Sequence, residues 1–190
     1  MSKNNEPISV VIPTRKIDDA YLKHVEKMFS HPRTEILIYE NDGSEPLAKI
    51  YNDGLKDAKN DIIVFMHDDL ILETKNITPK VIRLFEKNPE YGIIGIAGTT
   101  DMIDGRWWTM RESMTGIVSH KHEGKKWTNT YSPDQGNKLK EVVVLDGLFF
   151  CVDKEKIKNN FDEEFNGFHF YEIPFCFSNY LSGVKLAVTT

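Results

Sequence analysis

Asp61-Ile62-Ile63-Val64-Phe65-Met66-His67-Asp68-Asp69 is an apolar run that ends abruptly in three adjacent groups able to bind a cation. Ile62 to Met66 is short, continuous and rich in β-branched residues, the composition of a strand covered on both faces inside a parallel sheet. Ligands of open α/β sheets gather at the carboxyl ends of such strands. If the extended backbone continues for two more residues, His67 and Asp69 project to one side and Asp68 to the other. One imidazole and one carboxylate, completed by phosphate oxygens and water, suit Mn²⁺ or Mg²⁺. Asp-Asp after a strand is also ordinary turn chemistry, so a polar turn accounts for the same residues.

Upstream, Ile8 to Ile12 reads as a first buried strand closed by Pro13-Thr14. Asp18 or Asp19 caps a helix whose Leu22, Val25, Met28 and Phe29 repeat at helical spacing, and Pro32 stops it. A second strand, Ile36 to Tyr39, enters Glu40-Asn41-Asp42-Gly43-Ser44, and the next helix carries Leu47, Ile50, Tyr51, Leu55 and Ala58 on one side. Strand and helix thus alternate into the opening stretch, the βαβ pattern of a parallel sheet with right-handed crossovers.

Downstream, Thr78-Pro79 pairs a cap with proline at the first helical position, and Val81, Ile82, Leu84 and Phe85 form the buried stripe. A strand over Ile93 to Ala97 follows. From Thr99 to Lys140 the periodicity dissolves into a polar stretch holding Trp107, Trp108 and Trp127, which predicts a functional loop or lid with short strands near 106–110 and 115–120. Val142 to Leu145 and Leu148 to Val152 regain strand character on either side of Asp146-Gly147. Asp153 is then placed to cap a short helix, Phe161 to Phe165 is an aromatic-acidic turn, a last helix runs to about Leu181, and Val184 to Val188 closes the chain as a strand.

With 190 residues, 40% hydrophobic and 28% charged, the chain suffices for one well-formed core and is expected to be a single domain. A formal charge of −5 argues against a nucleic-acid footprint, which needs a basic face. No signal peptide or run of about 20 apolar residues is evident, so a cytoplasmic protein is expected, with peripheral contact to the inner face of a membrane compatible. Cys151 and Cys176 lie in apolar segments without metal spacing and read as buried free thiols. His120-Lys121-His122 has the spacing of a metal pair but lacks an acidic or cysteine partner nearby.

In order along residues 8–188, these segments resemble the family 2 type of nucleotide-sugar-dependent glycosyltransferase, in particular its small glycosyltransferase-like members. Ser9-Val10-Val11-Ile12-Pro13-Thr14 resembles the opening strand and nucleotide-side loop, and Glu40-Asn41-Asp42-Gly43-Ser44 the acidic motif that contacts base and ribose. Tyr51-Asn52-Asp53-Gly54 is similar to the Asn-x-Gly helix before the metal strand, and Phe65-Met66-His67-Asp68-Asp69 takes the place of the Asp-x-Asp motif, with His67 where aspartate is usual. Asp146-Gly147 resembles the acceptor-side turn, and Phe168-His169-Phe170-Tyr171-Glu172 the segment presenting the catalytic base.

The resemblance implies a Rossmann-like GT-A fold: an α/β architecture with a mostly parallel central sheet flanked by helices on both faces. Residues 8–98 would form the nucleotide-sugar half and residues 99–190 the acceptor half. The implied activity is a hexosyltransferase-type, inverting transfer from a nucleoside diphosphate sugar, a UDP-sugar first, to a hydroxyl of a glycan or glycolipid. It assigns Pro13, Thr14, Asn41, Asp42, Asn52, Asp68 and Asp146 to the nucleotide-sugar, Asp69 and then His67 to Mn²⁺ or Mg²⁺, and Glu172 to the base. Pro174 favours a helix beginning there, with Glu172 just before it and kept ionised by the positive helix end.

His67, and Pro174 where the family often has a second aspartate, also fit a catalytically degenerate member that binds nucleotide or glycan without turnover. A protein partner completing the acceptor site is a further expectation. A dinucleotide-dependent oxidoreductase is disfavoured, because no Gly-x-Gly-x-x-Gly follows a strand.

Overall fold

The structure is a computed structural model and describes residues 7–32, 34–102, 105–109, 111–131, 139–165 and 169–190. Continuous apolar runs form the strands β1 (Ile8–Thr14), β3 (Ile62–Met66), β4 (Tyr91–Gly95) and β10 (Phe149–Asp153) at the centre of a seven-stranded sheet. Their flanks are β2 (Glu35–Glu40), β11 (Lys185–Val188) and β8 (Lys140–Val142), in the order β2-β1-β3-β10-β4-β11-β8. β2, β1 and β3 pair in parallel, as do β4 and β11. β10 runs antiparallel between β3 and β4, and β8 antiparallel at the edge.

Period-two alternation divides the strand side chains between two cores. Val11, Ile63, Phe65, Ile93, Phe150 and Leu186 pack toward α2 (Leu47–Asp57) and α4 (Glu172–Leu181). Val10, Ile12, Val64, Met66, Ile94, Cys151 and Ala187 pack toward α1 (Asp19–Met28) and α3 (Ile77–Lys87). Of the two α1 caps the sequence offered, Asp18 is the one used: it accepts hydrogen bonds from the Ala20 and Tyr21 amides, and Asp19 begins the helix. Both cysteines are buried and free, as expected.

An aromatic cluster forms the floor beneath the carboxyl ends of the strands. The Tyr51 ring packs edge-on at 5.0 Å from both Phe65 and Tyr171, while Phe161 stacks on Phe175 at 4.0 Å. Fully burying a side chain of this size contributes roughly 1.5–3 kcal/mol. The cluster therefore anchors Tyr171, and with it the start of α4, firmly against α2.

Several sequence expectations are corrected. The predicted strand at Ile93 to Ala97 divides, because the chain leaves the main sheet after Gly95 and enters a second sheet as β5 (Ala97–Thr99). Val142 to Leu145 divides likewise into β8 and β9 (Val144–Leu145), which serve different sheets. Trp107–Thr109 is a 3-10 turn rather than a strand. Asp153 ends β10 and caps a single turn, through a bond from the Glu155 amide, in place of a short helix.

The strand expected near 115–120 is present as β6 (Met114–His122), and it forms a regular hairpin, not expected from the sequence, with β7 (Lys125–Thr130) through Glu123-Gly124. Both turn residues have positive φ, 48° and 78°, the geometry that matches strand twist in a two-residue hairpin. With β5 and β9 the hairpin forms a four-stranded sheet ordered β7-β6-β5-β9. Residues 103, 104, 110 and 132–138 of the expected lid lie outside the described residues.

Candidate active site

The carboxyl ends of β1, β2 and β3 meet at one cavity of about 290 Å³, lined by Pro13, Thr14, Arg15, Asn41, Leu47, His67, Asp68, Asp69 and His169. The His67 amide still pairs with the Leu148 carbonyl at 3.1 Å, after which the chain turns at Asp68-Asp69. Extension therefore stops one residue past β3, and the predicted alternation of side chains does not hold. All three groups face the same cavity. Thr14 donates a hydrogen bond to an Asp68 carboxylate oxygen at 2.6 Å, tying β1 to the β3 loop. The Tyr21 hydroxyl on α1 holds the same loop through the His67 carbonyl at 3.2 Å. Burial, then the charges of Asp68 and Asp69, raises the Tyr21 phenol pKa above its ordinary range.

A second cavity of about 440 Å³ adjoins the first and shares His67 and His169 with it. Its remaining lining includes Trp107, Trp108, Asp146, Tyr171 and Glu172. Asp146 accepts a hydrogen bond from the Leu148 amide at 2.9 Å, and burial raises its carboxyl pKa. The Tyr171 hydroxyl lies 2.8 Å from His67 Nε2 and 3.3 Å from the Gly147 carbonyl. It thus bridges the metal-motif loop, the β9–β10 turn and the start of α4.

Glu172 is the first residue of α4, with Tyr171 at the N-cap, so the helix begins two residues earlier than Pro174 suggested. Proline is tolerated there because first-turn amides need no intrahelical partner. The side chain is only 8% exposed. Burial pushes its pKa up to about 7, opposed by its own backbone amide and reinforced by the charge of Asp146. The expectation of a firmly ionised carboxylate is therefore corrected. A helix terminus favours an anion by about 0.3–2 kcal/mol, less than the several kcal/mol that desolvating a charge costs.

Asn41 lines the first cavity, but its amide is already engaged in building the loop after β2. It donates to the Glu45 carbonyl at 2.8 Å and accepts from the Gly43 and Glu45 amides. Asp42 is exposed, and the Ser44 hydroxyl, followed by the Ser44 amide that donates to it at 3.0 Å, lowers its carboxyl pKa.

The family model of the glycosyltransferase-like family matches residues 10–190, nearly the whole chain. The chain belongs to that family. This glycosyltransferase-like chain is 30% identical over 104 residues to the streptomycin biosynthesis protein StrF of Streptomyces griseus, a stretch covering 54% of this chain and 34% of that protein. Its fold is similar to GalNAc-T7, crystallised with UDP, GalNAc and Mn²⁺, at a TM-score of 0.58 and 11% identity, covering 99% of this chain and 43% of the other. A197 from STIV matches at a TM-score of 0.53 and 15% identity, over 96% of this chain and 82% of that one. At such identities the likeness speaks for the fold, which is GT-A. The chain spans well under half the length of StrF or GalNAc-T7.

Of the residues singled out from the sequence, the structure brings Pro13, Thr14, Asn41, His67, Asp68 and Asp69 to the first cavity and Asp146 and Glu172 to the second. Asn52 is placed elsewhere. Its side chain donates to the Phe161 carbonyl at 2.9 Å and accepts from the Phe161 amide, so in this glycosyltransferase-like chain it clips α2 to the aromatic turn. Phe168 lies outside the described residues. Tyr171 and Tyr21 were missed as site residues. Tyr171 sits in an aromatic run that reads as core, and Tyr21 is one polar-tipped ring on an ordinary amphipathic helix.

Proposed function

We propose that this chain is an inverting glycosyltransferase that transfers a sugar from a nucleoside diphosphate sugar to an acceptor hydroxyl. One observation carries this: a cavity with two carboxylates at a strand end shares a wall with a cavity holding a buried carboxyl poised near neutral pH. A UDP-sugar is the first choice of donor, supported by GalNAc-T7, whose crystal holds UDP, GalNAc and Mn²⁺.

Among the described residues, no group of three or more His, Cys, Asp and Glu side chains forms a ready-made metal site. The oxygen donors still fit Mn²⁺ or Mg²⁺, which are held by one or two carboxylates together with substrate phosphates. Asp69 would be the first carboxylate donor and His67 would offer Nδ1, because Nε2 meets Tyr171; Asp68, assigned from the sequence to the nucleotide-sugar, lines the same cavity and would add the oxygen not engaged by Thr14. When bound, the cation offsets negative charge developing on the leaving diphosphate.

Glu172 takes the proton of the acceptor hydroxyl as its oxygen forms the new bond to the anomeric carbon. The anomeric carbon to phosphate bond breaks on the opposite face. A base with a pKa near the working pH best combines availability with proton-accepting strength. Asp146 hydrogen-bonds and orients the acceptor beside it.

Binding without turnover has one observation in its favour: Tyr171 occupies a nitrogen of the histidine that replaces the usual aspartate. A thermal-shift series with uridine, guanosine and thymidine diphosphates, with and without Mn²⁺, should show metal-dependent stabilisation by one base. Release of nucleoside diphosphate from the matching donor sugar, abolished in Asp69→Ala, marks an enzyme. Stabilisation without release marks a binding protein, and no shift with any nucleotide refutes both.

A further inference from the structure

Five aromatic rings of the described residues 99–190 are exposed by 41% or more; Phe165 and Tyr180 line neither cavity, whereas Trp127, Trp108 and Phe170 are linked to the second cavity by the contacts that follow. Single exposed rings are ordinary, whereas several on one face mark a binding surface. Trp108 and Phe170 lie 5.6 Å apart at the rim of the acceptor cavity. The third ring, Trp127, is on β7, and strand register connects it to the same face. His120 pairs with Trp127 and Val118 with Asn129, so these four side chains project together. Val118 is buried in the same core cluster as Trp107, so this is the inward-facing side of the hairpin.

The contacts run continuously from the hairpin to the cavity. Trp127 stacks on His120 at 5.1 Å and an interplanar angle of 13°. The Asn129 amide lies 3.1 Å from His120 Nε2 and 3.4 Å from the Tyr131 hydroxyl. Tyr131 lines the cavity and packs edge-on against Trp107. His120 is also near enough to Asp146 for its charge to act on that carboxyl. The opposite hairpin face, with Ser119, Lys121, Lys126 and Thr128, holds no aromatic ring.

We propose that this face of the β6–β7 hairpin extends the acceptor site and binds an oligosaccharide several sugar rings long, with Trp108 and Phe170 near the reacting end and Trp127 distal. Flat exposed rings interleaved with Asn129 and His120 match the alternation of C–H faces and hydroxyl edges along a sugar chain. A polypeptide partner would call for a continuous apolar patch, and Asn129 and His120 interrupt this one. The inference rests on the second cavity being the acceptor site.

The test is a glycan array carrying mono- to hexasaccharides of glucose, galactose, mannose, rhamnose and N-acetylglucosamine, probed with labelled full-length chain. Binding should rise with chain length for at least one series. Trp127→Ala should weaken the hexasaccharide about 3- to 10-fold, the loss of one stacking contact, and leave the disaccharide unchanged. Trp108→Ala should weaken both, and Lys121→Ala neither. Equal losses at all lengths, or binding to no glycan, would overturn the proposal. So would a Trp127→Ala effect confined to self-association. The uridine diphosphate and Mn²⁺ thermal shift, run on the same samples, separates the two levels: a retained shift without glycan binding defeats only the extended site. Length-dependent glycan binding without any nucleotide shift upholds the track and defeats the transferase.

Discussion

Replacing Glu172 with glutamine should stabilise the protein, and do so in a pH-dependent way. The folded chain holds this carboxyl at a pKa of about 7 against an ordinary 4.5, chiefly through burial. At 1.36 kcal/mol per pH unit, that difference is worth about 3 kcal/mol. The sign follows from which state binds the proton more tightly. Between pH 4.5 and 7 the unfolded chain gives up its proton while the folded chain retains it, so wild-type stability falls as pH rises through this window. Below about pH 4.5 the group costs nothing. Glutamine matches the neutral carboxyl in shape, and its carbonyl can still accept the residue's own amide. The urea-unfolding free energy of Glu172→Gln minus wild type should therefore rise by about 2 kcal/mol between pH 4 and 6, and by about 3 kcal/mol by pH 8. Asp146 titrates in both proteins and cancels to first order. A difference that stays flat from pH 4 to pH 8 would refute a buried, uncompensated carboxyl at residue 172. As a base, Glu172 has a second signature: the same variant should lose sugar transfer while keeping the nucleotide thermal shift.

Asn52→Ala should cost about 1–3 kcal/mol in urea unfolding, since the buried Phe161 amide and carbonyl lose their partner, and leave nucleotide affinity measured by calorimetry unchanged. Gly147→Ala should damage both the site and the fold, because a Cβ there would clash with the hydroxyl end of Tyr171, a ring packed into the aromatic cluster. Transfer activity should fall at least tenfold, about 1.4 kcal/mol of barrier, and an unaltered rate would show that the Tyr171 bridge to His67 is dispensable.

The main sheet was legible because its strands are unbroken apolar runs and its helices carry apolar stripes; capping was a weaker guide, since among the described residues only α1 has a side-chain cap and Thr78-Pro79, expected to start α3, lies inside a helix that begins at Ile77 after Asn76. Two features of the fold were not. β10 inserts antiparallel between β3 and β4, yet Phe149-Phe150-Cys151-Val152 looks like any doubly covered strand, since partner and direction are set by tertiary pairing. The β6–β7 hairpin was only half legible: a strand was expected near 115–120, within β6, but β7 is solvated at almost every position, so period-two patterning did not reveal it. Its turn, Glu123-Gly124, was a usable clue, being one residue type away from the strongest hairpin dipeptides. At the site, motif order located the carboxylates, but charge state was not legible: the dipole argument at Glu172 needed the burial that only packing supplies.

His67 is where the two cavities meet, and its hydrogen bond explains how a residue unlike the usual aspartate can be accommodated. An aspartate at 67 would present a charged oxygen to the hydroxyl of Tyr171, a buried ring whose own ionisation burial strongly disfavours. That hydroxyl could satisfy a carboxylate only by turning its single proton away from the Gly147 carbonyl. Imidazole removes the conflict, because one ring nitrogen can meet the hydroxyl as donor or acceptor while the other stays available on the carboxylate side. The exchange lowers the negative charge at the strand end; if the proposed cation binds there, it would be held more weakly without a diphosphate than with one, since phosphate oxygens would restore the missing charge. Cation and nucleotide binding should consequently be strongly cooperative in this chain. The same bond ties residue 67 to the residue immediately before Glu172, the proposed base, so anything that repositions Tyr171 in the second cavity also reaches the first.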